Sequence, residues 1–388
     1  MEEKKAYKVL IVGGLNTKHI RRFVRRLHDY NPKAVLDCYT TAGVNSVHPD
    51  VQENANCVYG AYDKVPSVLN FPLIRTLYQL YYEHRALKKL SRKNYYDVVS
   101  IHYPQYNYRF PLKYFRKMTK VLSLCPWGSD VYRISNIEKR LLQKLYDYAD
   151  VITIGAGKRF HEDTKRIFSI PEEKFKTIGI GSESIDFILE NDSKVSTEDA
   201  KKRLNVAGKY VITCGYNNNE GQQHDKIIDG IIKVKDKLPQ NYILFFPLTY
   251  GGSEAYKQHL KRRLDDNNIP YKTFESYMSL EDLFIMQKAT DILIHIQLTD
   301  ANNATIKEYL LMEKKVLNAG WISYQDLMYN CTPCYFVANS PETVGEDLLT
   351  AVQSEPIAIP KPVKDGLAMN GWNHWITVWD SFFSSCTE

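Results

Sequence analysis

Two carboxylates, Asp300 and Glu308, stand eight positions apart in the segment DILIHIQLTDANNATIKEYLLMEKKVLNAG, residues 291–320. Their surroundings point to nucleotide chemistry. An apolar strand ends near Gln297, a polar loop follows, and a helix begins near Asn303. Asn302, Asn303 and Thr305 are residue types that cap helices. A helix that starts after a parallel strand offers unpaired backbone N–H groups and the positive end of its dipole. That is a diphosphate site needing no basic side chain, and Asn303, Ala304 and Thr305 are its candidate residues. A carboxylate one to two turns in, Glu308, can accept hydrogen bonds from both hydroxyls of a ribose. The plain alternative is a capped surface helix with an exposed Glu.

The segment resembles the donor motif of family-4-like glycosyltransferases of the GT-B fold, written E-x7-E and followed by a G-K-P-V-type strand. Here it reads D-x7-E followed by K-K-V-L. The resemblance implies that Glu308 holds the nucleotide ribose, and that Asp300 and Gln297 lie near the donor sugar. Two further segments, CGYNNNEGQQHDKII (214–228) and FPLTYGGSEAYKQHL (246–260), are similar to the enzymes that move an acetamido-dideoxy-galactose from a TDP-sugar to a lipid-linked acceptor. That likeness implies a donor pocket lined by Gly215, Asn217, Asn219, His224, Tyr250 and Gly251. Chemically, Gly215 lets backbone approach a ligand, and Asn and His side chains supply neutral or switchable donors to phosphate oxygens. Family-4 enzymes usually carry Arg and Lys in this loop. Here the nearest cation is Lys226 and no Arg is present. The turn FESYMSLEDL (274–283), with Tyr277, falls where such folds contact the nucleobase.

In the first half, CPWGSDVYR (125–133) follows a strand and precedes a helix. W-G-S-D recurs in polysaccharide glycosyltransferases of this type, which makes Trp127, Ser129 and Asp130 acceptor-side candidates. Asp130 suits a helix cap equally well. Gly14 and His19 in GGLNTKH, and His102 in SIHYP, also sit at strand ends and join the acceptor-side set.

The elements that must position these residues follow a strand–helix alternation run twice. Apolar runs read as strands at about 8–14, 34–40, 96–103, 120–127, 150–155 and 174–181, then at about 210–217, 241–251, 271–276, 291–297, 314–320 and 334–339. Short β-rich runs alternating with amphipathic segments argue for parallel sheets covered on both faces. The polar stretch at about 182–209 reads as a linker plus a short helix. The tail from about 366, with Trp372, Trp375, Trp379, Phe382 and Phe383, reads as a helix. The expected architecture is α/β: a GT-B arrangement of two Rossmann-like, doubly wound domains facing across a cleft. Residues 1–190 form the acceptor and membrane-facing domain and 205–365 the nucleotide-sugar domain, with helix 366–388 packing back on the first. Ligands in such sheets bind at the carboxyl ends of the strands.

Composition narrows the setting. The chain has 388 residues, 44% hydrophobic and 25% charged, ordinary for two globular domains. No apolar run approaches the length that spans a bilayer, and the charged start lacks a signal-peptide pattern, so the expected place is the cytoplasm. The seven cysteines fit reduced thiols, and Cys331-x-x-Cys334 reads as ordinary apolar side chains. Residues 1–133 hold 22 Lys and Arg against 10 Asp and Glu, a net +12; the whole chain is +6, so the remainder sums to −6. The basic segments KHIRRFVRRL, EHRALKKLSRK and YRFPLKYFRK interleave cations with Phe, Tyr and Leu. That pattern suits peripheral attachment to an anionic membrane on its inner face, or simply solvated helix faces. No nucleic-acid recognition motif accompanies it.

The expectation is a metal-independent glycosyltransferase, without cofactor, that moves a hexosyl or aminodeoxyhexosyl group. The donor is a nucleoside-diphosphate sugar, the acceptor is a saccharide or lipid-linked saccharide, and bacterial surface polysaccharide assembly is the association. Asp130, His224 and Asp300 are the candidate catalytic residues, with Asp130 as base if the anomer inverts. A sugar-nucleotide epimerase and a non-catalytic sugar-nucleotide-binding protein are the rival readings.

Overall fold

The computed structural model describes residues 4–62, 72–155, 157–300, 303–322, 324–355 and 358–387, without the side chains of 72 and 73. Asn302 falls outside the described residues. The chain divides into two units, Met1–Gly181 with Trp372–Glu388, and Ser182–Gly371.

The first unit is built on a seven-stranded sheet. Its strands are β1 (Lys8–Val12), β2 (Val35–Thr40), β3 (Cys57–Gly60), β4 (Tyr96–His102), β5 (Thr119–Cys125), β6 (Val151–Ile154) and β7 (Phe175–Thr177). Their order is β3-β2-β1-β4-β5-β6-β7, and every pairing is parallel. Helix Lys18–Tyr30 buries Ile20, Phe23, Val24 and Leu27, the i, i+3, i+4, i+7 spacing of a single apolar face. Thr17 caps it. The C-terminal helix Trp372–Ser385 belongs to this unit and packs against the same face, with Trp379 and Phe383 around Phe23. The Trp379 indole donates to the Gly179 carbonyl at 2.9 Å.

The second unit carries a six-stranded sheet. Its strands are β8 (Tyr210–Cys214), β9 (Tyr242–Pro247), β10 (Tyr271–Phe274), β11 (Ile292–His295), β12 (Lys315–Ala319) and β13 (Tyr335–Ala338). The order is β10-β9-β8-β11-β12-β13, again all parallel. Alternate strand residues enter two cores on opposite faces. Ile212, Leu244, Phe246, Ile294 and Leu317 enter one; Val211, Phe245, Leu293 and Val316 enter the other. Both faces are therefore buried, as the unbroken apolar runs require.

Two differences from the sequence reading have physical causes. β3 is short, half exposed and at the sheet edge, so it shows no apolar run. The stretch at 182–209, read as a linker plus a short helix, holds more helix than that. It forms helices Glu183–Asn191 and Thr197–Arg203, which bury Ile185, Ile188 and Ala200 in the second unit's core. No helix among the described residues is long and apolar enough to cross a membrane.

Candidate donor and acceptor sites

In the second unit the candidate residues gather at the carboxyl ends of β8, β9 and β11. Helix Ala304–Leu311 starts after β11 with Asn303 as its cap, and the Asn303 Oδ1 accepts the Thr305 amide at 2.7 Å. The Asn303 amide donates to the Tyr324 hydroxyl at 3.1 Å. Glu308 lies one turn into the helix and is 4% exposed. Ser182 Oγ donates to one of its carboxylate oxygens at 3.0 Å, and Gln287 Nε2 to the other at 2.7 Å. It is thus a buried, oriented acceptor rather than an exposed helix residue. Its neighbour Lys307 is also buried; it donates to Asn370 Oδ1 at 2.7 Å, and burial lowers its amine to about 8.

The loop after β8 is held by its own asparagines. Asn217 Oδ1 accepts the Asn219 amide and Asn219 Oδ1 the Gly221 amide, at 2.9 and 2.8 Å. Asn218 ties it to the next loop: its amide donates to the Tyr250 carbonyl at 2.7 Å and its side chain to the Ser253 carbonyl. Gly215 has φ +66°, and a Cβ there would lie 2.9 Å from both Gln222 Oε1 and His224 Nε2. Those two polar atoms are buried without a hydrogen-bond partner, and a side chain at 215 would press directly on both, so the position requires glycine. His224 opens helix His224–Val234, and burial lowers its imidazole to about 4. It is a neutral group at pH 7. Tyr250 and Tyr277 present rings that are 56% and 71% exposed. Gly251 has φ +95°.

Lys226 lies apart from these groups. Its ammonium pairs with Glu342 at 3.3 Å on the surface. Gln297 is buried, and its Oε1 accepts from the Tyr216 hydroxyl at 2.8 Å and from Gln222 Nε2 at 2.7 Å. Asp300 turns inward, with Oδ2 3.6 Å from His295 Nε2.

In the first unit the acceptor-side candidates also converge, at the ends of β1, β4 and β5. The Trp127 ring meets His19 edge-on at 5.3 Å, Tyr103 at 5.9 Å and His102 at 6.4 Å. Gly14 ends the β1 turn, and its carbonyl accepts the Thr17 amide and hydroxyl. His102 is fully buried between Phe23 and Trp379; burial lowers it to about 3, and Nε2 faces Ser100 Oγ at 3.1 Å. Ser129 Oγ donates to the Tyr103 hydroxyl at 3.1 Å. Asp130 Oδ1 accepts the amides of Trp127 and Gly128 at 2.9 and 2.8 Å, while Oδ2 is buried without a hydrogen-bond partner. Burial raises this carboxyl to about 6 against the pull of those amides. The helix it sits in, Ser129–Tyr132, is only a single turn, so Asp130 works as a turn cap.

Sequence reasoning missed Ser182, Gln287, His295, Asn318 and Tyr103. A signal for two of them exists. His295 and Asn318 are polar residues late in apolar strands, and β11 and β12 pair them directly. Among the described residues, no group of three or more His, Cys, Asp or Glu is placed to hold a metal ion.

No protein-family model matches the chain, and no curated protein matches it. Solved structures do match over nearly the whole length. A glycosyltransferase from Rickettsia africae has a TM-score of 0.68 at 14% identity, with 99% of each chain covered. Sucrose-phosphate synthase from Thermosynechococcus elongatus has a TM-score of 0.69 at 11% identity, covering 98% of this chain and 99% of that one. HepE of Anabaena, solved with UDP-glucose, has a TM-score of 0.61 at 13% identity, with 98% and 99% covered. At such identities the likeness establishes the fold: α/β, with two doubly wound parallel sheets.

Proposed function

We propose that this chain is a glycosyltransferase that takes a sugar from a nucleoside-diphosphate sugar and passes it to an acceptor hydroxyl. One observation carries the reading. Glu308 is buried, clamped by Ser182 and Gln287, and one turn into a helix whose capped start ends a central parallel strand. A fixed acceptor beside a helix N-terminus matches a ribose next to a diphosphate. The fold it shares with glycosyltransferases, among them a protein solved with UDP-glucose, supports the same reading.

In this reading the departing diphosphate gains charge at the amides of helix Ala304–Leu311, with His224 as a neutral donor from the facing loop. No metal is required for that stabilisation. If the transfer inverts the anomer, Asp130 is the base that takes the acceptor's proton; if it retains the anomer, Asp130 is an acceptor contact. A thermal-shift series with UDP, GDP, TDP and CMP at millimolar concentration tests the donor site. At least one diphosphate should raise the melting temperature, as a ligand of the folded state must. No shift with any of them removes the donor assignment.

The acceptor reading is a saccharide, lipid-linked, in surface polysaccharide assembly at an anionic membrane. Helix Pro72–Lys93 supports the membrane part. It exposes Ile74, Leu77 and Tyr81, 50%, 69% and 60%, at spacings that share one face, and Arg85, Lys88, Lys89 and Arg92 follow. Co-sedimentation with phosphatidylglycerol vesicles should be lost in Leu77→Glu; equal binding by that variant would remove this face from the account.

A further inference from the structure

We propose that His295 is a positioning residue of the donor site, setting the orientation of the Asn303 cap and hence the amides that meet a diphosphate. The proposal rests on the donor reading of helix Ala304–Leu311.

The ring is fully buried at the end of β11. Its Nδ1 lies 2.7 Å from Asn318 Oδ1, and its Nε2 lies 3.2 Å from Asn303 Nδ2. The donor directions follow from the partners. Asn318 Nδ2 is donated to the Tyr335 hydroxyl at 2.6 Å, so Asn318 Oδ1 is the acceptor and His295 Nδ1 carries the proton. Nε2 is then the bare nitrogen and must accept from Asn303 Nδ2. That leaves Asn303 Oδ1 turned to the Thr305 amide, the cap that the helix needs.

An asparagine cap without such a partner can flip its amide and present N–H to N–H. His295 removes that choice, and the order Asn318, His295, Asn303, Thr305 runs in one direction. The ring also steadies the opposite loop, because Tyr216 stacks on it with centroids 5.7 Å apart and planes 12° apart. Asp300 also faces the ring, with its Oδ2 3.6 Å from Nε2.

The test uses the full chain and calorimetry with UDP, GDP and TDP, each beside its own nucleoside. His295→Leu keeps volume and removes both hydrogen bonds. It should weaken the diphosphate that binds wild type about tenfold and leave the nucleoside within about twofold. Adding Asn303→Ala to it should cost little more, because both changes break one chain of bonds. Equal losses for nucleoside and diphosphate, or additive effects of the two substitutions, would overturn the proposal. If His295→Leu does not fold, Asn318→Leu keeps the ring and removes the partner that fixes its proton; the same selective loss is expected, and a non-selective one counts against it. If wild type binds none of the three diphosphates, the donor reading itself fails and takes the proposal with it.

Discussion

Glu308→Ala is expected to weaken nucleoside-diphosphate binding about 100-fold, or ~2.7 kcal/mol. The carboxylate would accept from two ribose hydroxyls, and hydrogen bonds to a charged group contribute about 1.5–3 kcal/mol each. The loss should fall equally on nucleoside and nucleoside diphosphate, since the contact is to the sugar. That separates it from His295, whose effect belongs to the diphosphate alone. The substitution also strands one buried donor, Gln287 Nε2, and releases the half-buried Ser182 hydroxyl. A buried donor left unpaired costs about 1–3 kcal/mol, so the melting temperature should fall by a few degrees. Glu308→Gln keeps the volume and one acceptor oxygen, and should lose less of both. Calorimetric affinity unchanged in the Ala variant would remove the ribose role.

Asp130→Asn is expected to lower turnover by about 10³-fold, within the range that general bases contribute. Its fold should persist, because an amide oxygen can still accept from the Trp127 and Gly128 backbone. The pH profile gives the sharper check. The base must be ionised to take a proton, and burial holds this carboxyl at about 6. Wild-type turnover should therefore rise with pH up to about 6 and level off above it. The Asn variant should lose that limb. A transfer that retains the anomer, or a profile flat from pH 5 to 8, would leave Asp130 as an acceptor contact and turn cap only.

Much of the fold was legible because parallel strands covered on both faces read as unbroken apolar runs. β11 and β12 are examples, each bounded by polar loops. The strand Cys57–Gly60 was not, since a half-exposed edge strand has no such run. Residues 182–209 misled for the opposite reason. Their polar surface dominates the composition, and only a few positions such as Ile185 and Ile188 carry the burial. At the site, the Asn303 cap and Glu308 could be read from type and spacing within one segment. The clamp on Glu308 could not, because Ser182 is 126 positions away in sequence. Lys226 shows the same limit: a local reading makes it the nearest cation to the loop, while its actual partner Glu342 is 116 positions on. Asp300 was placed near the donor sugar by likeness, and its inward turn toward His295 depends on a polar residue hidden in an apolar strand.

The most direct measurement is the fate of a nucleoside-diphosphate sugar incubated with the wild-type chain and followed by proton NMR. The account predicts slow release of free sugar together with the nucleoside diphosphate when water is the only acceptor, and, with a saccharide acceptor present, faster release of the nucleoside diphosphate as the sugar moves to the acceptor hydroxyl. A nucleoside monophosphate, an epimerised donor, or a donor left intact with acceptor present would contradict it.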